Sequence, residues 1–338
     1  MKLGPNQKLV DEATKRNVRN MEKYAKDVVS SPEYDEIRHK CTNKSDMCSY
    51  WATEGKCHSK VTFMMKECAL ACSMCDQMER FSRCHKKKNA LLKQVGYRDP
   101  VNAIFQNIES NNEWMKYNPE FLSKPTDTSP DAPWLLRFDS LLTSDETDEF
   151  INIGNGIGWN SIYNEDDINE ENEKQTENYE RTYCNVFEKC EENEIYQTVL
   201  NRIASILMVP KDNFEHVEMV KFSNVGDSYG RHDDYNAHDN WKPAGPRILS
   251  VMINLSNVKM GGASGFPDLD WTFVTPKKGQ VLIWSNVDIN SENDEDYDGS
   301  KSAKMTHEVL PVVEGELFNA HIWVHPKNWR KQYKKNCV

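Results

Sequence analysis

The chain has 338 residues, of which 38% are hydrophobic and 28% are charged, and its formal net charge is −11. This length suits one large domain with a small accessory module, and the apolar content is sufficient for a core. The negative charge argues against a broad nucleic-acid surface, so nucleic acid is not an expected partner. No run of about 18 apolar residues occurs, so the sequence predicts no membrane span.

Two acidic stretches hold most of the negative charge. Residues 164–180 contain eight acidic residues and one lysine, and residues 287–300 contain six acidic residues and no basic residue. Both stretches are typical of solvated loops. If both flank a binding site, they would instead attract a basic peptide.

The N-terminal third is divided by its cysteines. Residues 7–39 are highly charged and carry apolar residues at the spacing of an amphipathic helix. Six of the ten cysteines follow within residues 41–75, and residues 76–98 again have a helical pattern. Residues 117–133 are rich in Pro, Ser, Thr and Asp, which is typical of a linker.

We therefore predict four segments along the chain. They are an N-terminal helical segment at 1–40, a disulfide-rich module at 41–75, a helical linker region at 76–129 and a large domain at 130–338.

The large domain begins with helices and ends with strands. Thr143 and Glu146 stand at the spacing of a capping box, which predicts a short helix ending near Gly154, and residues 194–207 have the pattern of a second helix. From Glu215 onward, short β-branched or alternating segments are separated by Gly, Pro and Asn. A few helices followed by many strands favour a β-sandwich or jelly roll with the helices packed outside.

The six cysteines of the module must replace a core, because so short a segment buries little apolar surface. Zinc is the alternative, since Cys72 and Cys75 form a CxxC pair, but the second CxxC pair of a zinc ribbon is missing. Disulfides are therefore favoured, and the sequence alone leaves their pairing open.

The cysteine spacing, with Trp51 and the pair Phe63-Met64, resembles the ShK-type toxin domain. Channel-blocking members of that family carry a Lys-Tyr pair where this chain has Thr62 and Phe63, so the resemblance implies an accessory or interaction module. The resemblance also implies three disulfides: Cys41–Cys75, Cys48–Cys68 and Cys57–Cys72.

The other four cysteines and a sequon at Asn43 bear on the compartment. We expect Cys184 to pair with Cys190, and Cys84 to pair with Cys337. The even number of cysteines and the sequon fit an oxidising compartment, so we predict that the protein is secreted or lies in the lumen of the endoplasmic reticulum. The N-terminus has no apolar h-region, so we expect a signal or anchor segment to lie outside this sequence.

His232 and Asp234 form an HxD pair within "YGRHDDYNAHDNW". Side chains alternate along a strand, so we expect these two to face the same way and Asp233 to point away. His307 lies on another strand-like segment. Two imidazoles and one carboxylate on one face form the facial triad that binds non-haem Fe(II) and leaves positions open for a cosubstrate and O₂. We therefore predict that His232, Asp234 and His307 are metal ligands and catalytic residues, the alternative being hydrogen-bonded core histidines.

The sequence around these residues resembles the prolyl 4-hydroxylase branch of the Fe(II)/2-oxoglutarate dioxygenases. The resemblance covers roughly residues 130–330, and it is carried by "RTYCNVFEKC", "VKFSNVGDSYGRHDDY", "RILSVMINLSNVKMGGASGFP", "VTPKKGQVLIWSN" and "THEVLPVVEGELFNAHIW". It implies a double-stranded β-helix with the metal at its mouth. It also implies Fe(II), 2-oxoglutarate and ascorbate as cofactors. Arg181, Thr182 and Tyr183 stand where the family has "RTS".

One position departs from the family pattern. The family holds the distal carboxylate of 2-oxoglutarate with a lysine at the position that Leu317 occupies here, and a buried carboxylate without a partner is costly. Arg247, Asn319 and His321 are the candidate substitutes, with His321 preferred as a cation or a hydrogen-bond donor, and Tyr229 is a candidate wall of the same pocket. Alternatively, the cosubstrate differs, or the domain holds a metal without turnover.

The sequence thus predicts an Fe(II)/2-oxoglutarate-dependent dioxygenase, similar to procollagen-proline 4-dioxygenase, that hydroxylates a peptide or protein substrate. One alternative is a non-prolyl peptide oxidation with altered use of the cosubstrate. A second alternative is a secreted, non-enzymatic binding protein that uses the six-cysteine module as its binding face.

Overall fold

The computed structural model describes residues 3–84, 100–164, 177–235, 242–287, 301–302 and 304–338. They form two compact units. The smaller unit contains the described residues up to 84, together with 242–243 and 337, and the larger unit contains the others. Across these described residues, no helix is both long and apolar enough to cross a membrane. The four predicted segment boundaries remain a prediction.

The smaller unit consists of one long helix and four shorter ones around a cysteine-rich core. Its α-helices are α1 Glu12–Ser30, α2 Cys48–Thr53, α3 Lys56–Ser59, α4 Val61–Glu67 and α5 Cys75–Cys84.

Helix α1 begins later and ends earlier than the predicted span of residues 7–39. Asp11 caps its start, since the carboxylate accepts a hydrogen bond from the Thr14 backbone N–H at 2.7 Å. The residue before a proline avoids helical backbone, and Pro32 follows the C-cap. Met21, Ala25 and Val28 lie on one helix face and are buried among the cysteines of the module.

The five disulfides agree with the predicted pairs. The module contains Cys41–Cys75, Cys48–Cys68 and Cys57–Cys72, the pairing that the ShK resemblance implies; the others are Cys84–Cys337 and Cys184–Cys190. None of the ten cysteines is free. The crosslinks close loops in a unit whose buried core is small, and this constrains its unfolded chain.

The larger unit is a β-sandwich with helices outside. Its helices are α6 Pro100–Ser110, α7 Ser144–Ile157, α8 Glu194–Leu207 and α9 Trp329–Tyr333. Its strands are β1 Pro119–Ser123, β2 Leu135–Phe138, β3 Asn160–Asn164, β4 Glu177–Cys184, β5 Val217–Phe222, β6 Tyr229–His232, β7 Leu249–Asn254, β8 Met260–Gly261, β9 Ser264–Phe266, β10 Thr272–Val274, β11 Val281–Ser285, β12 His307–Val309, β13 Val312–Glu314 and β14 Leu317–Val324.

Two antiparallel sheets form the sandwich. The large sheet has the strand order β1-β2-β11-β7-β14-β5-β4-β3, and the small sheet has the order β10-β9-β12-β6. Many neighbours in these sheets, such as β7 beside β14 and β12 beside β6, are distant in sequence, as they are in a jelly roll. The predicted double-stranded β-helix is confirmed, and a short pair, β13-β8, lies beside it.

The two faces of the large sheet have different partners. One face carries residues such as Met219, Val251 and Ile322, which pack with helices α6, α7 and α8 in the main hydrophobic core. The opposite face carries Met252 and Trp284, which pack with residues of the small sheet. Because both faces are covered, β7 and β11 are buried along their whole length, which explains their nearly unbroken apolar sequence.

Two predictions about local structure were wrong in detail. Residues 119–123, which fall within the predicted linker, form β1 at the edge of the large sheet. Phe121 stabilises this strand by packing edge-on against Trp134, and a proline is tolerated there because it is the first residue of an edge strand. The acidic stretch 164–180 is a loop in prediction, but its last four residues belong to β4. Its first residue, Asn164, ends β3, and residues 165–176 lie outside the described residues, as do residues 288–300 of the second stretch.

Helix α7 provides a test of the predicted capping box, which the structure confirms at Thr143 and Glu146. Replacing Thr143 by Ala removes the hydroxyl that accepts the Glu146 N–H at 3.3 Å. We expect Thr143→Ala to lower the free energy of unfolding by about 1 kcal/mol, measured by urea unfolding. Ser144→Ala, one residue further into the helix, is the matched control and should change it by less than about 0.5 kcal/mol. Equal losses in the two variants would contradict the capping role.

Candidate functional site

The structure brings the three predicted metal ligands together in the small sheet. His232 ends β6 and lies directly opposite His307, the first residue of the antiparallel neighbour β12. The Nε2 atom of His232 lies 3.8 Å from Asp234 Oδ1, and the Nε2 atom of His307 lies 3.6 Å from Asp234 Oδ2. One ligand atom from each residue lies within 4.8 Å of the others.

Asp234 lies on a loop and not on the strand that was predicted from its spacing to His232. Strand β6 ends at His232, so Asp234 lies in the loop that follows and does not share a strand face with the histidine. The period-two argument therefore gave the right pair for the wrong reason. Asp233 does turn away, as expected, and its carboxylate contacts Lys301 and the Thr306 hydroxyl.

Both imidazoles are oriented through their second nitrogen. His232 Nδ1 lies 2.8 Å from the Gly230 carbonyl oxygen, and His307 Nδ1 lies 3.0 Å from the Met305 carbonyl oxygen. When Nδ1–H donates to these carbonyls, the lone pair of Nε2 is left to face Asp234, as in histidines that bind metals. Burial lowers the pKa of His307 against the opposing charge of Asp234, and this favours the neutral imidazole that a metal requires.

The residues present fit an Fe(II) ion. His307 Nε2 is buried and has no hydrogen-bond partner among the described residues, although buried polar atoms are normally paired. A cation at this point would satisfy that nitrogen and the facing carboxylate together. Two imidazoles and one carboxylate are the donor set of the non-haem iron oxygenases.

A second group of residues holds the donor atoms in place. The Ser250 hydroxyl donates to Asp234 Oδ2 at 2.6 Å, and the Asn286 side-chain amide donates to the Ser250 oxygen at 2.8 Å. The Tyr229 ring stacks on His232 with centroids 4.3 Å apart, and Trp284 packs against His307 at 4.8 Å.

A cavity of about 430 Å³ opens beside these ligands. Its described lining includes His232, Asp234 and Tyr229 from the metal site, and it is unusually rich in charge. The other charged or aromatic lining residues are Arg181, Tyr183, Glu215, His216, Glu218, Asp233, Arg247 and Trp323. Such a cavity can admit a small anionic cosubstrate next to the metal.

The candidate cosubstrate residues are divided between this cavity and the barrel interior. Tyr229 and Arg247 line the cavity. Asn319 and His321 are buried on β14, and neither the Asn319 Oδ1 nor the His321 Nε2 has a partner among the described residues. Burial lowers the pKa of His321 to about 4, so it is a neutral group at neutral pH and a donor or acceptor rather than a cation.

Arg247 is already committed to a carboxylate. Its guanidinium donates to both oxygens of Glu215, at 2.6 Å and 2.9 Å, and it lies 3.7 Å from the centre of the Trp323 ring. His325 Nε2 also contacts Glu215, at 2.7 Å. The charge of Glu215 and that of Arg247 thus offset each other within the protein.

The sequence did not single out Glu218 as a site residue. Glu218 is buried on β5, and the Tyr183 hydroxyl donates to its Oε1 at 2.6 Å. Its Oε2 has no partner among the described residues, and burial raises the pKa of this carboxyl. The available signal was an acid in a mostly apolar strand, "VEMVKF", because an acid is almost never fully buried unless it is paired.

Comparison with known families agrees with this geometry. Residues 217–325 match the family model of the 2OG-Fe(II) oxygenase superfamily, and residues 40–75 match the ShK domain-like family model. Over 223 residues the chain is 29% identical to the "probable prolyl 4-hydroxylase 7" of Arabidopsis thaliana, which covers 60% of this chain and 66% of that protein. The "probable prolyl 4-hydroxylase 6" of the same plant is 27% identical over 61% of this chain and 74% of its own length.

Two further matches are more distant. The human "prolyl 4-hydroxylase subunit alpha-1" is 25% identical over 44% of this chain and 26% of its own length. Among solved structures, a 2OG complex of the viral collagen prolyl hydroxylase vCPH from Paramecium Bursaria Chlorella virus-1 is 24% identical, has a TM-score of 0.43, and covers 56% of this chain and 94% of that one. The chain therefore carries an ShK-like domain at residues 40–75 and, at residues 217–325, a 2OG-Fe(II) oxygenase domain similar to that of the prolyl 4-hydroxylases.

Proposed function

We propose that this chain is an Fe(II)-dependent dioxygenase that hydroxylates a peptide or protein with O₂ and 2-oxoglutarate. The observation that carries the proposal is the convergence of His232, Asp234 and His307 on one point beside a cavity. The family match at residues 217–325 contains all three and supports the same reaction.

The iron and its cosubstrate would supply the oxidation: one oxygen atom of O₂ becomes a hydroxyl group on carbon, the other enters succinate, and 2-oxoglutarate loses CO₂. The protein's own residues bind and orient. His232 and His307 would present neutral Nε2 donors, and Ser250 holds Asp234 so that its other oxygen faces the metal. Trp284 and Phe266, both fully buried, keep water away from His307.

Prolyl hydroxylation of the procollagen type is the proposed reaction, with ascorbate as the supporting reductant that the resemblance implies. The names of the relatives support it. The two acidic stretches of the sequence, 164–180 and 287–300, would favour a basic peptide over an acidic one if they flank the cavity. Since both acidic stretches lie mostly outside the described residues, their contribution to a rim rests on the sequence alone.

A secretory location is proposed on the disulfides. Ten cysteines form five disulfides, and such bonds persist in the endoplasmic reticulum and outside the cell. The ShK-like domain is proposed as an accessory module of the enzyme. The alternative of a non-enzymatic binding protein is not favoured, because it gives no role to the three converging ligands.

The ligand set can be tested by a pair of neighbouring variants. We expect Asp234→Asn to abolish stoichiometric binding of Fe(II), measured anaerobically by isothermal titration calorimetry, because it removes the anionic donor. Asp233→Asn is the matched control and should retain binding, since this carboxylate faces Lys301 and Thr306. Equal binding in wild type and Asp234→Asn would refute the assignment.

The support of Asp234 by Ser250 gives a smaller, graded effect. Ser250→Ala removes the hydrogen bond to Asp234 Oδ2 and leaves the ligands intact. Losing such a partner typically weakens metal affinity by about 10- to 100-fold, and we expect a loss in this range by competition with a chelator. A variant that binds Fe(II) like the wild type would show that the hydroxyl only fills space.

The reaction itself is tested in two steps. An anaerobic titration of the Fe(II) protein with 2-oxoglutarate should produce a metal-to-ligand charge-transfer band, and O₂ with a proline-containing basic peptide and ascorbate should then yield succinate and hydroxylated peptide in equal amounts. Iron binding without the band would remove 2-oxoglutarate from the proposal. Succinate without hydroxyproline would leave the oxygenase and remove prolyl specificity.

A further inference from the structure

We propose that Arg181 binds the distal carboxylate of the 2-oxo acid cosubstrate, in the role that the family gives to a lysine at the position of Leu317. The inference rests on the proposed function, since it concerns how that function's cosubstrate is held. The positive charge that pairs with the distal carboxylate would then lie on β4, whereas the family lysine would lie on β14.

The family position cannot serve in this chain. Leu317 has no exposed surface and packs in an apolar cluster with Phe222, Val309 and Val312. The site has no spare room either, because a methyl group added at Gly262 would lie 2.8 Å from Leu317 Cδ2. A carboxylate placed among these side chains would be desolvated without a partner. The distal end of the cosubstrate must therefore go elsewhere.

The cavity beside the metal offers the alternative direction. It is contiguous with His232 and Asp234, and its described lining includes two guanidinium groups, Arg181 and Arg247. Arg247 is held by both oxygens of Glu215 and cannot take a second carboxylate without breaking that pair. Arg181 is the cation that remains.

The guanidinium of Arg181 is not committed in the same way. Its one contact with a carboxylate among the described residues is to Glu218 Oε1, and the 3.6 Å from Nη1 is too long for a hydrogen bond. That oxygen already accepts the Tyr183 hydroxyl at 2.6 Å. The side chain is 36% exposed, so the fork of the guanidinium can reach an anion in the cavity.

The sheet places Arg181 on the correct face. Arg181 on β4 is in register with Val220 on β5, and Val220 is in register with Asn319 on β14. These three lie in one row, two residues from Leu317, with side chains on the same face of the large sheet. The proposed anchor is thus two strands from the lost one and faces the same interior.

An aromatic wall leads from the metal toward Arg181. The Tyr229 ring stacks on His232 at 4.3 Å and on Tyr179 at 4.7 Å, and the Arg181 guanidinium lies 5.6 Å from the Tyr183 ring. A ligand that chelates the metal and extends along this wall would approach the guanidinium, which lines the same cavity. The planar fork of arginine matches both oxygens of a carboxylate.

The buried acid Glu218 completes the subsite. Its Oε2 has no partner among the described residues although the residue lines the cavity. Burial raises the pKa of this carboxyl, and a neighbouring anion would raise it further. In its protonated form Glu218 can donate a hydrogen bond to the same carboxylate that Arg181 pairs with.

The experiment compares two ligands that differ only in the distal group. Fe(II) protein is titrated anaerobically with 2-oxoglutarate and with 2-oxovalerate, which lacks the distal carboxylate, and the charge-transfer band gives each Kd. We expect Arg181→Gln to raise the Kd for 2-oxoglutarate by about 10- to 100-fold, the effect of a lost charged hydrogen bond. The Kd for 2-oxovalerate should stay within about twofold. Arg181→Lys should lie between wild type and Arg181→Gln for 2-oxoglutarate.

Lys221→Gln is the matched control. Lys221 lies on the strand next to Arg181 but pairs with Glu180 at 3.1 Å and is not among the residues lining the cavity. The Lys221→Gln substitution removes one positive charge and leaves the proposed subsite unchanged. The Kd values for 2-oxoglutarate and for 2-oxovalerate should therefore match those of the wild type. Fe(II) stoichiometry and thermal unfolding are measured for every variant to show that each is folded.

Each other result overturns the inference in a distinguishable way. If Arg181→Gln binds 2-oxoglutarate like the wild type, Arg181 is not the anchor and the proposed function stands. If the affinities for 2-oxoglutarate and 2-oxovalerate fall equally in that variant, Arg181 shapes the cavity and does not bind the distal carboxylate. If wild type binds Fe(II) but gives no band with 2-oxoglutarate, the inference and the 2-oxoglutarate part of the proposed function fall together.

Discussion

The antiparallel pairing of β6 with β12 is the constraint on which the site depends. It sets His232 directly opposite His307, at the place where side chains of facing strands come closest. Neither strand could hold this register alone, because each is only three or four residues long. The large sheet and its helices bury enough apolar surface to fix the small sheet in position, so most of the domain serves to keep two imidazoles side by side.

The interior beside that pair is polar in a way that the rest of the sandwich is not. Ser250, Glu218, Asn319 and His321 project from the same face of the large sheet, whose other face packs into the main hydrophobic core. Buried polar groups are costly unless satisfied, and several of their atoms have no partner among the described residues. Such a concentration is typical of a site that a ligand completes. Leu317, in the apolar cluster at the start of β14, lies outside this group of polar side chains.

The sequence predicted the elements whose position depends on a local residue pattern or motif. Helix α8 begins at Glu194 and ends at Leu207 as predicted, because its apolar period is strong and Asn193 caps its start. Strand β1 was missed because its stability comes from pairing with β2 and from one aromatic contact, and neither is visible in a Pro-rich stretch. Sequence reasoning recovers elements that are stable by their own pattern and misses those that a distant partner stabilises.

The metal-ligand residues were also predicted from a local motif, whereas their contacts with distant residues were not. The HxD motif identified His232 and Asp234, yet the period-two argument failed because the strand stops at the histidine. The partners of Asp234 and the pairing of Arg247 with Glu215 join residues that are far apart in sequence. No spacing rule could have shown that Arg247 makes two hydrogen bonds to a carboxylate while Arg181 lies 3.6 Å from one, since these distances join residues on different strands.

The chain of hydrogen bonds from Asp234 through Ser250 to Asn286 has a consequence beyond ligation. Ser250 lies on β7 and Asn286 follows β11, so the carboxylate is connected to the two most deeply buried strands of the large sheet. A metal bound by Asp234 would stabilise the folded state by mass action. Removal of such a metal would therefore lower the free energy of unfolding of the domain that carries these two strands.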